Sequence, residues 1–345
     1  MSDQFESGFF VKEPAWHKLG TVVQQAPNTR EAIRLAGLDW DVLQRPIHAS
    51  VPPDRTWEPA QKVDLSSWKA LVRSTDKRAL SVVGNGYTPL QNSEAFAFFD
   101  PFLQDGDASL EAAGSLRNGR TIWVLAKLRQ QSLNVGGFGT TDQVAPYLLL
   151  SNSHDGTQAV RVDYTMIRVV CSNTLEAAHT AGANTSIAIV HRRSVADALK
   201  RVQETVDIGN RTFALTIEQF RAMKRQGVSS ATLRQYVRHV VAKESRDFTA
   251  LIDAAMKAQD FTCAETLREE RDKEPRAVQQ IIDGFEQWDG QKEAGNNLWG
   301  AYNAVTYWLE HERGTRNENR LNSSWFGDSK NVRKRAHSEA LKLLS

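Results

Sequence analysis

Between Gln143 and His179 the chain reads QVAPYLLLSNSHDGTQAVRVDYTMIRVVCSNTLEAAH, and its hydrophobic period changes twice along the way. Val144 to Leu150 is a nearly continuous apolar run, as suits a strand near a sheet centre. From Val160 to Tyr164, apolar Val160, Val162 and Tyr164 alternate with Arg161 and Asp163, the period of a strand with one wet face. Ser153-His154-Asp155-Gly156 between them is hairpin chemistry, because Asp and Gly tolerate the backbone angles of a tight turn. After Tyr164 the alternation fails. Read as a helix capped by Thr165, the next residues put Met166, Ile167, Val170, Cys171, Leu175 and Ala178 on one side. Arg168, Ser172, Glu176 and His179 then line the other side as an exposed stripe. Polar Asn152, His154, Asp155, Arg161, Arg168, Asn173 and His179 collect where these elements meet.

The neighbouring segments extend this pattern to an α+β fold: a twisted antiparallel β-meander packed with helices, then a mostly helical C-terminal half. Asn28 to Glu31 has capping-box spacing before a short helix that Gly37 can end. Leu38 to Ile47 reads as extended, and Trp68 to Arg73 with Ala79 to Val83 as a hairpin around Thr75-Asp76-Lys77. Ser93 to Leu103 reads as one apolar helix. Leu110 to Leu116 and Thr121 to Leu128 flank Asn118-Gly119, a two-residue hairpin signal. Further on, Ser194–Lys224, Ser230–Lys243, Arg246–Ala258, Pro275–Trp288, Asn296–His311 and Ser329–Leu344 carry helical spacing. At 345 residues, on a prior of about 150 per domain, the change of pattern suggests a core domain over 1–190 and a helical domain or extension over 191–345.

Charge is distributed in blocks. Arg and Lys outnumber Asp and Glu by eleven to five over Ile187–Ser245, then acidic residues lead by twelve to seven over Arg246–Ala294. Arg313–Ser345 is basic again, eight to three. Such blocks form solvated helix faces in many proteins, and they also suit a polyanion-binding side combined with self-association surfaces. Two cysteines, Cys171 and Cys263, make no disulfide framework and fit a reducing cytoplasm. The N-terminus shows no signal-peptide pattern, and nothing approaches the length of a membrane span.

Several blocks together resemble the phage/plasmid-like protein family, a family of unknown function. They are Trp16 to Gly20 (WHKLG), Ala36 to Trp40 (AGLDW), Ala113 to Arg120 (AGSLRNGR) and Tyr147 to Gly156 (YLLLSNSHDG). Arg168 to Leu175 (RVVCSNTL), Asn297 to Tyr307 (NLWGAYNAVTY) and Arg320 to Gly327 (RLNSSWFG) complete the series. The resemblance implies a mobile-element origin and supplies no activity. The order of elements is also similar, at the level of fold alone, to single-strand-annealing recombinases, which implies rings or filaments with a basic groove for DNA.

Phosphate recognition needs guanidinium and ammonium donors along a groove, with amide side chains for close contacts. Arg117, Arg120, Lys127, Arg161 and Arg168 lie on or beside the expected meander, with Asn152, His154 and Asn173 among them and Arg192 and Arg193 following. Lys330, Arg333, Lys334 and Arg335 open a C-terminal helix, where their charge opposes the macrodipole and an anion would relieve it. Exposed aromatics such as Trp16 or Trp325 would stack bases. His154, Asp155, Cys171, His179 and His191 are metal-ligand types without CxxC or HExxH spacing. No GxxxxGK[ST] loop is present, so ATP-driven chemistry is not expected.

These residues lead to a nucleotide-independent, single-stranded DNA-binding and annealing protein, self-associating, in the cytoplasm of a host cell. No catalytic residue, metal or cofactor is assigned. Two alternatives stand beside this expectation. One is a non-enzymatic protein acting on a host factor; the other is a metal-dependent nuclease using Asp155, Asp163 and Glu176.

Overall fold

The computed structural model describes residues 5–12, 20–52, 60–129, 132–136, 141–168, 173–175, 186–189, 195–241, 248–272, 275–313 and 328–344. The β-rich half holds β1 (Phe5–Val11), β2 (Thr21–Val23), β3 (Val42–Val51), β4 (Gln61–Arg73), β5 (Ala79–Gly84), β6 (Ala108–Leu116) and β7 (Thr121–Leu128). It continues with β8 (Leu133–Asn134), β9 (Gln143–Ser153), β10 (Val160–Arg168), β11 (Asn173–Leu175) and β12 (Ser186–Ile189). Three short helices interrupt it: α1 (Thr29–Leu35), α2 (Asn92–Ala97) and α3 (Asp100–Gln104). The helical half contains α4 (Val195–Arg225), α5 (Ser230–Val241), α6 (Phe248–Lys257), α7 (Phe261–Asp272), α8 (Arg276–Gly284), α9 (Gln291–Ala294), α10 (Leu298–Tyr307) and α11 (Asp328–Lys342). A π-helical turn, Trp308–Glu312, prolongs α10.

The large sheet runs β11-β10-β9-β7-β6-β1-β2, with β12 also beside β10 and β8 beside β9. All its pairings are antiparallel except β1–β2. β3-β4-β5 form a separate antiparallel sheet. The alternation of side chains sends Ile122, Val124, Ala126, Val144, Leu148, Leu150, Val162, Tyr164 and Met166 to one face of the large sheet. That face joins Phe213, Ile217 and Phe220 of α4 and Trp299 and Tyr302 of α10 in a single apolar core. Each Val, Leu, Ile, Phe or Met among them, fully buried, contributes about 1.5–3 kcal/mol. Trp123, Leu125, Tyr147, Leu149 and Phe10 form a smaller cluster of their own.

Local signals were followed closely at helix starts. Asn28 Oδ1 accepts from the Glu31 N–H at 2.9 Å and Glu31 Oε2 accepts from the Asn28 N–H, the reciprocal capping box. The apolar run from Ser93 is two helices, because Pro101 suits a first turn and not a helix interior. The β6–β7 connection is four residues long, Leu116 pairing with Thr121, with positive φ at Arg117, Asn118 and Gly119. The helix α7 carried no sequence expectation.

The helix expected from Thr165 is absent. β10 continues to Arg168, pairing with β9 as far as Val144, and Asn173–Leu175 returns antiparallel beside Met166 to Arg168. The reason lies in which faces are apolar. Tyr164, Met166 and Arg168 alternate with Thr165 and Ile167 in burial, so period two persists. It was hidden because Ile167 is an apolar residue on the second face, packed on the smaller cluster, while Arg168 is a polar residue on the first. β-branched Thr165 and Ile167 also favour a strand. Val170, Cys171, Ser172, Glu176, Ala178 and His179 lie outside the described residues.

Candidate functional site

The turn after β9 is the centre of a buried polar junction. His154 is fully buried, and its Nε2 meets Asn92 Oδ1 at 2.9 Å. The Asn92 amide nitrogen donates to the carbonyls of Leu38 and Trp40, which fixes its oxygen toward the histidine and makes Nε2 the protonated ring nitrogen. The Trp40 ring stands edge-on to the imidazole, 5.5 Å between centroids. Arg73 lies over the same indole at 4.6 Å and binds both oxygens of Glu6. Asn152 donates to the Leu90 carbonyl, Ser81 to the His154 carbonyl and Tyr87 to the Ser153 carbonyl. These contacts tie the small sheet, α2 and the large sheet at one point.

Asp155 closes the turn by accepting from the Ser153 and Thr157 hydroxyls and the Thr157 N–H. Burial pushes its carboxyl up, but these donors and the Arg117 charge, 3.7 Å away, hold it below its ordinary value. Tyr87 is pushed up to about 12 by burial and by the nearby Asp155 charge.

A second junction joins the sheet to the helical half. Asp142, buried just ahead of β9, accepts from Arg168 Nε at 2.6 Å, from the Trp299 indole at 2.9 Å and from Lys224 at 3.2 Å. Arg168 also donates to the Gly290 carbonyl and lies over the Trp299 ring. Burial raises the Asp142 carboxyl, yet the Arg168 hydrogen bond and charge, the indole and Lys224 outweigh it and hold the group below its ordinary value. Sequence reasoning missed Asp142, Lys224, Asn92, Arg73 and Glu6. A single clue was available for Asp142: an arginine at a core-facing strand position demands a carboxylate.

The expected phosphate contacts therefore divide. Asn152, His154, Arg168 and Arg333 are buried and serve internal pairings, Arg333 with Glu310 at 3.2 Å, so none offers its polar atoms to a polyanion. The exposed stripe expected to carry Arg168 is corrected accordingly. The backbone of Asn173 is in β11; its side chain, with Arg192, Arg193, His191, Trp16 and Trp325, lies outside the described residues. Lys127 is half-buried at the opposite end of β7 from the Arg117–Arg120 turn. Lys330 pairs with Asp163 at 3.3 Å, and Arg335 donates to the Val240 carbonyl, while Lys334 is half-buried. Asp155 and Asp163 are thus held in separate pairings. Among the described residues no group of three metal-ligand side chains gathers.

Arg120 and Arg161 remain. Both are exposed, and no carboxylate among the described residues pairs with either. The register brings them to one end of the large sheet: Arg161 is opposite Ser151, which is opposite Trp123, three residues beyond Arg120. Arg117, partly exposed, stands on the same turn as Arg120.

The fold and its junctions define an α+β protein whose sheet and C-terminal helices share a core and the buried Asp142–Arg168 latch. A family model described as Domain of unknown function (DUF932) matches residues 79–326, and the chain belongs to that family. No curated protein and no solved structure matches it. Among the described residues no helix is long and apolar enough to cross a membrane.

Proposed function

We propose that this chain binds and anneals single-stranded DNA without nucleotide hydrolysis, as a protein of a phage or plasmid acting in its host's cytoplasm. The observation that carries this reading is the pair of exposed guanidiniums, Arg120 and Arg161, at one end of the large sheet with no described carboxylate to neutralise them. Arg117 beside them is shared with Asp155 at 3.7 Å, a distance at which a phosphate can compete. Neutralising phosphates while leaving base edges free lets two strands approach and pair.

The test is anisotropy of a labelled oligonucleotide across a salt series. Wild type is expected to bind more weakly as salt rises. Arg120→Ala with Arg161→Ala should flatten the log–log slope by about 1.4, from roughly 0.7 per lost phosphate contact on single strands. No binding at low salt, or an unchanged slope in the double variant, refutes the assignment.

A further inference from the structure

Two parts of the chain present exposed surfaces outside the common core. The first is the arm formed by the β3–β4 hairpin with β5 alongside, which gives Val42, Leu71, Leu80 and Val83 to the core on one face and leaves its other face exposed. Arg45, Ala70 and Val82 are aligned across its three strands, and Trp68, two residues from Ala70, shares their face. Trp68 is 52 % exposed and Val82 57 %. The second is the α6–α7 hairpin, whose buried Ile252, Ala255 and Ala264 do not belong to the main core. On α7, Phe261, Glu265 and Glu269 recur every four residues and so share one face. Phe261 is 63 % exposed, and both glutamates are exposed.

Their charges are opposite. Over Phe248–Asp272 six acidic residues face three basic ones. On the two arm strands Arg45 and Lys62 outnumber Asp64, which His48 meets at 2.6 Å; Lys69 is on the opposite face, and Arg73 is buried against Glu6. No carboxylate among the described residues pairs with Arg45, and no cation with Glu265 or Glu269. The β3 edge of the arm is unsuited to adding a strand, because β3 carries Pro46 and a register shift between Pro46 and His48. Its face is the surface available for docking.

We propose that the arm face of one copy of this chain, with Arg45, Trp68 and Val82, docks on the Phe261–Glu265–Glu269 face of α7 in a second copy. The two patches are different, so the contact closes reciprocally in a two-fold dimer or runs head-to-tail into a ring or a filament, and the sedimentation coefficient separates the two. It needs no nucleic acid and stands independently of the DNA-binding reading.

Sedimentation velocity on the nuclease-treated full-length chain tests it, from about 1 to 50 µM, the range expected of a modest interface. Wild type is expected to self-associate. R45E alone and E265R alone should each weaken association by about tenfold or more, since each sets like charges together. Mixing the two variants should restore it, because every reversed arm then meets a reversed helix and every native arm a native one. Circular dichroism checks that both surface variants stay folded. A monomeric wild type, single variants that associate like wild type, or a mixture that stays dissociated would each overturn the proposal.

Discussion

Removing the Asp142 carboxylate should cost this protein more stability than any exposed substitution, because it takes the counter-charge from a buried guanidinium. Asp142 and Arg168 are 1 % and 0 % exposed, so Asp142→Ala leaves the guanidinium in the core with the Gly290 carbonyl as its remaining described acceptor. Breaking a buried pair from one side costs about 3–5 kcal/mol. The Trp299 indole also loses its acceptor, about 1 kcal/mol more. Lys224, 21 % exposed, turns to water and offsets part of this. The expected loss is about 4 kcal/mol. With an unfolding entropy of about 2.1 cal/mol/K per residue over 345 residues, the melting temperature should fall by about 6 °C.

Scanning calorimetry reads that shift. The control is the double variant Asp142→Leu with Arg168→Met, which removes both charges and should recover most of the loss. A single variant costing under about 1 kcal/mol, or a double variant worse than the single, would refute the latch as a buried, mutually dependent pair. The pH dependence has a fixed sign. The Asp142 pKa is lower in the folded chain than its ordinary value, so its contribution is complete above the unfolded value, near 3.9. That contribution is lost as pH falls through the folded value. Asp142→Asn should therefore flatten the acid limb of the stability curve, and an unchanged limb contradicts the assignment.

Two further substitutions probe the same architecture elsewhere. Asn92→Leu removes the donor to the Trp40 carbonyl and the acceptor of His154 Nε2, the Leu38 carbonyl keeping the Trp40 N–H, and should cost about 1–3 kcal/mol; an unmoved urea midpoint would count against the junction. Gly300→Ala sets a methyl 2.2 Å from the Gly295 carbonyl oxygen at the entry to α10, and should cost about 1–3 kcal/mol. A wild-type melting temperature in that variant would mean the entry relaxes freely.

How far the sequence foretold this fold depended on how local each determinant is. The capping box at Asn28 and Glu31 sits within four residues, and β6–β7 and β9–β10 are joined by short turns, so pattern and turn chemistry sufficed. The span from Thr165 to Arg168 misled because the large sheet has apolar clusters on both sides, which erases the polar half of the alternation. The site was least legible, since its partners are far apart in the chain. Asp142 and Arg168 are 26 residues apart, and Asp142 and Trp299 157. Arg168 reads as a surface charge until the strand register turns it inward.

The sequence blocks that carried the resemblance contribute chiefly to these junctions: Leu38 and Trp40 from AGLDW, Asn152 and His154 from YLLLSNSHDG, Arg168 from RVVCSNTL and Trp299 from NLWGAYNAVTY. Their chemistry is spent inside the molecule, so they signal a way of folding more directly than a reaction. AGSLRNGR is where inside and outside meet. A Cβ on Gly119 would fall 2.1 Å from Arg73 Nη2, and the Arg120 carbonyl accepts from the His154 N–H at 2.7 Å. The turn that presents the exposed Arg120 is thus anchored on both of its sides by the buried His154–Trp40–Arg73 assembly. A junction built this way fixes the backbone from which the exposed Arg120 guanidinium reaches into solvent.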